Sequence, residues 1–190
     1  MSQVPVLGFA AYSGTGKTTL LKKLIPLLTG KEITTGVIKH SHHDVELDTP
    51  GKDSYELRHA GATQTLLASP RRWSLVTETP GDWEPQLTEM LKHLDTALLD
   101  LIIVEGFRDA DIAKIELHRE ELERPLLHTR DPHIIALATN SDSLEATLPM
   151  LDLNNPPMIA EFIVHWMQEQ KPSSWINTAG FRIIAPSQIL

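Results

Sequence analysis

The apolar residues of the chain fall into short runs separated by polar or glycine-bearing segments. Val6 to Ala11 is a run of six that breaks into glycine, which suits a strand buried on both faces. Small polar residues follow, and then Leu20, Leu21, Leu24, Ile25 and Leu28 recur at helical spacing, with Pro26 expected to kink or end that helix. Thr34 to His40 predicts a second strand, and Ser41 to Lys52 is a polar loop. Asp53 or Ser54 is expected to cap a short helix through about Ala60, which Gly61 closes. Thr65–Ala68 and Trp73–Thr77 read as short strands that could form a hairpin or lie apart at a sheet edge. Glu84 to Leu94 places Leu87, Met90, Leu91 and Leu94 on one helical face. Leu101–Val104, Ala113–His118 and His133–Ala138 are further strands, and Arg119 to Asp131 reads as a charged surface connection. Met158 to Gln170 is a last amphipathic helix with Ile159, Phe162, Ile163 and Trp166 inward.

This alternation of strand and helix predicts an α/β fold, a mostly parallel sheet with helices on both faces. Residues 1–170 form one domain in this reading, and 171–190, which contain no acidic residue, form a C-terminal tail of unassigned role. Composition narrows the function. With 190 residues and 41% hydrophobic side chains, one domain can bury a core without a staple. The absence of cysteine excludes disulfides, thiolate metal sites and a cysteine nucleophile. Against 17 basic residues stand 25 acidic ones, a net charge of −8, which argues against nucleic-acid binding. Any anion must be held locally, by placed backbone NH groups and a few cations. The N-terminal apolar run lacks a basic flank and a cleavage site, and no stretch approaches the roughly 20 residues that span a bilayer. The expectation is a soluble, cytoplasmic protein without membrane contact.

The local device is the segment Ala11-Tyr12-Ser13-Gly14-Thr15-Gly16-Lys17-Thr18. It matches the phosphate-loop pattern G-x-x-x-x-G-K-[ST] except at its first position, where Ala stands for Gly. Gly14 and Gly16 let successive NH groups turn inward onto phosphate oxygens, and the helix starting near Lys17 adds its positive end. Lys17 supplies charge to the outer phosphates and the Thr18 hydroxyl a ligand for Mg²⁺. Thr19 offers a second hydroxyl. The candidate nucleotide-binding residues are therefore Ser13, Gly14, Thr15, Gly16, Lys17, Thr18 and Thr19. Ala11 is compatible if its φ stays negative.

Such a loop needs an acidic partner at the end of a neighbouring strand. Leu101-Ile102-Ile103-Val104-Glu105-Gly106 supplies Glu105, while Asp100 sits at the opposite end of the strand. Asp44 and Asp48, in the loop after the second strand, are candidates for the γ-phosphate or magnesium region. Base reading falls to Thr139-Asn140-Ser141-Asp142. Small GTPases read guanine with N-K-x-D; here Asn140 and Asp142 are two apart with no lysine between them, a degenerate form that favours guanine weakly.

Taken together, AAYSGTGKTTLLKKLIP (10–26), GVIKHSHHD (36–44), PGKDSYELRHAGA (50–62), LDLIIVEGFRD (99–109) and AKIEL (113–117) resemble the molybdopterin-guanine dinucleotide biosynthesis protein B family. The resemblance implies a P-loop NTPase fold, GTP binding with Mg²⁺, at most slow GTP hydrolysis, and a homodimer. It also implies association with the guanylyltransferase that attaches GMP to molybdopterin, and contact with molybdopterin itself. Carried over residue by residue, Gly14, Gly16, Lys17, Thr18 and Thr19 go to the phosphates, Thr18 and Glu105 to magnesium, and Asp44 to the same region; Asn140 is the remaining nucleotide-binding candidate. The absence of a general base or an acceptor motif favours an adapter, in which binding and not turnover is the output. Two alternatives stay open. One is a small-molecule kinase using Asp44, Asp48 or Arg58 to position an acceptor; the other is a metal-insertion GTPase using His40, His42 and His43.

Overall fold

The computed structural model describes residues 4–41, 45–81, 83–169, 175–178 and 181–184. The chain divides into two compact units, residues 1–40 with 86–190, and residues 41–85. In the first, six parallel strands lie in the order β2-β5-β1-β6-β7-β8. They are β1 (Val4–Ala10), β2 (Thr35–Lys39), β5 (Leu101–Glu105), β6 (Ala113–His118), β7 (Ile134–Thr139) and β8 (Met150–Asp152). The central strand β1 is buried along its whole length, as its unbroken apolar run requires. The pair β9 (Trp175–Thr178) and β10 (Phe181–Ile184) is antiparallel, and β10 runs parallel to β1 at Val4 and Pro5.

One face of the sheet carries α1 (Lys17–Thr29) and α4 (Pro156–Glu169), and the other carries the short α3 (Leu87–Leu91). This is the α/β arrangement expected. Pro26 does not end α1, which runs on to Thr29. The ring is exposed, so the hydrogen bond it removes falls on the solvent side, while Leu24 and Leu28 are fully buried. Two such leucines contribute about 1.5–3 kcal/mol each, enough to offset the roughly 3 kcal/mol that an internal proline costs. The helix expected over Glu84–Leu94 is shorter: Gln86 is extended, regular helix spans only Leu87–Leu91, and Leu94 reaches the core from a turn beyond it. Pro85 disfavours helical backbone at Glu84, which explains the late start. No helix among the described residues is long and apolar enough to cross a membrane.

The second unit holds α2 (Asp53–His59) and an antiparallel hairpin of β3 (Gln64–Ser69) and β4 (Arg72–Thr77). Of the two arrangements open from sequence, the hairpin forms, around Pro70-Arg71. Asp53 is the first residue inside α2 and not its cap: Lys52 takes the cap position, and neither supplies a side-chain cap bond.

Arg119 to Asp131 is more than a surface connection. It lies over a face of β6 whose alternate residues Lys114, Glu116 and His118 are all buried. The Lys114 Nζ reaches Asp131 Oδ2 at 2.6 Å and the Arg108 carbonyl at 2.7 Å. Burial would raise the Asp131 carboxyl, but the hydrogen bonds and charge of Lys114, with a bond from the His133 NH, hold it below its ordinary value. Glu116 accepts from the NH groups of Leu127 (2.6 Å) and His128 (2.9 Å) and meets His128 Nδ1 at 2.9 Å. A carboxylate placed this way replaces the helix that would otherwise cover this part of the sheet. Glu116→Ala strands those donors in the interior, and we expect a loss of about 3 kcal/mol in urea unfolding. A loss under 1 kcal/mol would show that water or another group takes over the role.

Candidate functional site

The phosphate loop joins the carboxyl end of β1 to α1. Gly14 and Gly16 hold φ of 83° and 96°, a left-handed backbone that a side chain would strain. Ala11 is not among the residues with positive φ, so alanine serves at the first position. Thr15 is buried and its hydroxyl donates to the Tyr12 carbonyl at 2.9 Å; Ser13, Thr18 and Thr19 are exposed at the mouth of the loop. The Lys17 ammonium folds over the loop and donates to the carbonyls of Ala11 (2.9 Å) and Tyr12 (3.3 Å). Burial lowers its pKa, opposed by the Glu105 carboxylate and aided by Arg108 and Lys39.

Parallel pairing places the acidic partner beside this loop. β5 is the neighbour of β1, with Phe9 opposite Glu105 at their carboxyl ends. There the Thr18 hydroxyl lies 3.1 Å from Glu105 Oε1 and 3.5 Å from Oε2. Both are hard oxygen donors, and about 3 Å is the separation of adjacent ligands in an octahedron with metal–oxygen bonds of about 2.1 Å, so the pair fits Mg²⁺. Gly106 follows with φ 95°, and a Cβ there would come 2.6 Å from the Cβ of His40. Only glycine allows the chain to turn this closely under β2.

Several residues at the site were not singled out from sequence. Lys39, last in β2 and opposite Glu105, brings its Nζ to 3.4 Å from the Glu105 carboxylate. Its signal was its place at the carboxyl end of a parallel strand. The Arg119 Nε donates to the Thr15 carbonyl at 3.0 Å, and the guanidiniums of Arg108 and Arg124 lie 5.6 and 5.8 Å from the Tyr12 ring centre. Arg119 and Arg124 come from a connection that carries no motif, and Arg108 from the segment that follows Glu105.

Other candidates take different places. Asn140, just past β7, donates to Glu121 Oε1 at 2.7 Å and accepts from the Glu120 NH at 3.2 Å, so its amide holds the turn after β6. Asp100 accepts from the Thr34 NH (2.9 Å) and hydroxyl (2.6 Å) at the far end of β5, away from the site as expected. In the second unit Asp48 accepts from the Thr49 NH and from Ser54, which lowers its pKa. Arg58 pairs with Glu46 and, at 2.9 Å, with Glu78; its hydrogen bond pushes Glu46 down to about 2. Arg58 is thus occupied within its own unit. His40 stacks on Phe107 at 4.7 Å, whereas His42, His43 and Asp44 lie outside the described residues. Among the described residues no cluster of three or more His, Asp or Glu is arranged for a metal.

Residues 6–140 match the family model of molybdopterin guanine dinucleotide synthesis protein B, MobB. The chain belongs to the MobB family. It is 52% identical over 170 residues to the molybdopterin-guanine dinucleotide biosynthesis adapter protein of Escherichia coli, covering 89% of this chain and 97% of that one. The Haemophilus influenzae adapter protein of the same name is 46% identical over 87% of this chain and 91% of its own. Among solved structures, a molybdopterin-guanine biosynthesis protein B superposes with a TM-score of 0.67 at 25% identity over 86% of this chain and 99% of that one. Bacillus subtilis MobB gives 0.65 at 18% identity, over 87% and 99% of the two chains, a likeness of fold. As a MobB protein, the chain is an adapter in molybdenum cofactor biosynthesis, with its phosphate loop, Glu105 and Lys39 at one end of the sheet.

Proposed function

We propose that this MobB protein binds GTP as its Mg²⁺ complex and presents it to the guanylyltransferase that attaches GMP to molybdopterin. The observation that carries the reading is the contact of Thr18 with Glu105, which joins the two halves of a magnesium–phosphate site across neighbouring parallel strands. In this reading Ser13 to Thr19 wrap the phosphates, Lys17 leaves its loop carbonyls for the outer phosphates, and Thr18 and Glu105 hold the metal. Lys39 then exchanges its hold on Glu105 for the terminal phosphate. The guanine lies toward the end of β7, where Asn140 shapes the wall through Glu120 and Glu121. Asp44 belongs to the same reading as a further group near magnesium. In this reading hydrolysis is at most slow and the bound state is the signal.

A homodimer completes the proposal. On one face of the hairpin Leu66 pairs with Leu75 and Ala68 with Trp73, and Leu66, Leu75 and Trp73 are 62%, 47% and 68% exposed. A two-stranded ribbon is marginal by itself, and a second copy related by a two-fold axis would cover this apolar face with the same face.

Lys17→Ala should lose at least tenfold in GTP affinity by calorimetry, since a charge-assisted phosphate contact is worth about 1.5–3 kcal/mol. The same variant should fail to show the GTP-dependent retention of the guanylyltransferase that the wild-type chain shows in a pull-down. Wild-type affinity would remove the loop as the nucleotide site, and retention indifferent to GTP would remove the nucleotide from the adapter role. In sedimentation velocity, Trp73→Glu should shift the dimer to monomer; a Trp73→Glu dimer as tight as wild type would exclude the hairpin face.

A further inference from the structure

Beside Tyr12 of the phosphate loop, and lined by neither Thr18 nor Glu105, the first unit contains a cleft of about 390 Å³. It lies among the loop after β5, the connection between β6 and β7, and the Tyr12 edge of the phosphate loop. Nothing in the nucleotide reading uses it. Its size falls in the range of small-molecule sites. Its lining is bipolar. Arg108 and Arg130 have no carboxylate within 4 Å among the described residues, although the chain is strongly acidic overall. Both are exposed, and Arg108 is steadied over the Tyr12 ring. Of the acids, Asp131 is taken up by Lys114 and His133, Asp111 lies on the rim 3.6 Å from His133 Nε2, and Asp109 stands exposed beside it.

We propose that this cleft is a second ligand site, taking a phosphate monoester carried on a planar, hydrogen-bond-donating heterocycle: the pterin phosphate half of the dinucleotide. The inference rests on the adapter reading for the identity of the ring, and on the cleft itself for the chemistry. A pterin presents an amino group and a ring N–H side by side on one edge, which a carboxylate such as Asp109 or Asp111 accepts. Its phosphate suits the planar donor forks of Arg108 and Arg130. The flat surfaces of Tyr12, with Pro125 and Pro132, suit the ring between them. Because Tyr12 belongs to the phosphate loop, a ligand here and a nucleotide on the loop would meet along one short segment of backbone. An adapter built this way holds both halves of the future dinucleotide without joining them.

The test uses the full chain saturated with Mg²⁺ and a non-hydrolysable GTP analogue, titrated with 6-hydroxymethylpterin phosphate and followed by pterin fluorescence. We expect one pterin phosphate per chain, bound at least tenfold more tightly than the unphosphorylated pterin. Arg130→Gln should weaken it at least fivefold with the affinity for the GTP analogue unchanged, and Asp109→Asn with Asp111→Asn should weaken it while leaving weak inorganic phosphate binding intact. Failure of the pterin phosphate to bind, its displacement by the nucleotide, or indifference to Arg130→Gln would each overturn the proposal. Capture of the guanylyltransferase by the same preparation separates the two ideas: capture without pterin binding removes the cleft alone, whereas loss of nucleotide binding removes the adapter reading.

Discussion

The Thr18 hydroxyl rests against the Glu105 carboxylate at 3.1 Å, and the functional end of the molecule is arranged around that contact. It exists because β1 and β5 run parallel as neighbours and end together, so that the loop leaving one strand passes the acid that terminates the other. The same register carries one strand further, where Lys39 of β2 stands opposite Glu105. Burying β1 and β5 between two layers of apolar side chains fixes the register, since a slip of one residue would exchange the side chains packed into the two layers. Geometry at the site is thus set by the core beneath it.

Charge explains why the site is so local. With a net charge of −8 the molecule as a whole repels phosphate, and its cations act only where the fold gathers them. Lys17 and Arg119 bond carbonyls of the loop, Lys39 meets Glu105 beside it, and Arg108 and Arg124 meet Tyr12 from two connections. The connection from Arg119 to Asp131 can hold its place because Glu116 and Lys114, buried under it, bind its backbone and its aspartate. A carboxylate and an ammonium in the interior are costly unless fully bonded, and here each is bonded to the segment it must hold. The polar face of β6 is therefore a fastening for the connection that lines the cleft beside Tyr12.

The parts of this arrangement that were legible in the sequence are those with a fixed local cause. Gly14, Gly16, Lys17 and Thr18 announce a phosphate loop because backbone curl, charge and hydroxyl are needed at set spacings, and Glu105 follows from an apolar strand that ends in an acid beside glycine. Pro26 does not end its helix because local propensity is weak against two fully buried leucines. Lys39 and Arg119 were passed over because their roles depend on strand order, which brings distant segments together and leaves no periodic mark. Lys114, Glu116 and His118 alternate as a solvated strand face would, and only the connection lying across them makes that face interior.

In the proposed function a metal is part of how this acidic chain accepts a nucleotide, with Thr18 and Glu105 as its protein ligands. Titrating GTP into the wild-type chain and into Glu105→Gln, each with and without Mg²⁺, tests this most directly. Wild type should bind at least tenfold more tightly with Mg²⁺ than without it, and in Glu105→Gln that difference should largely vanish while some binding remains. Equal affinity in the wild type with and without the metal, or an undiminished magnesium effect in Glu105→Gln, would contradict it.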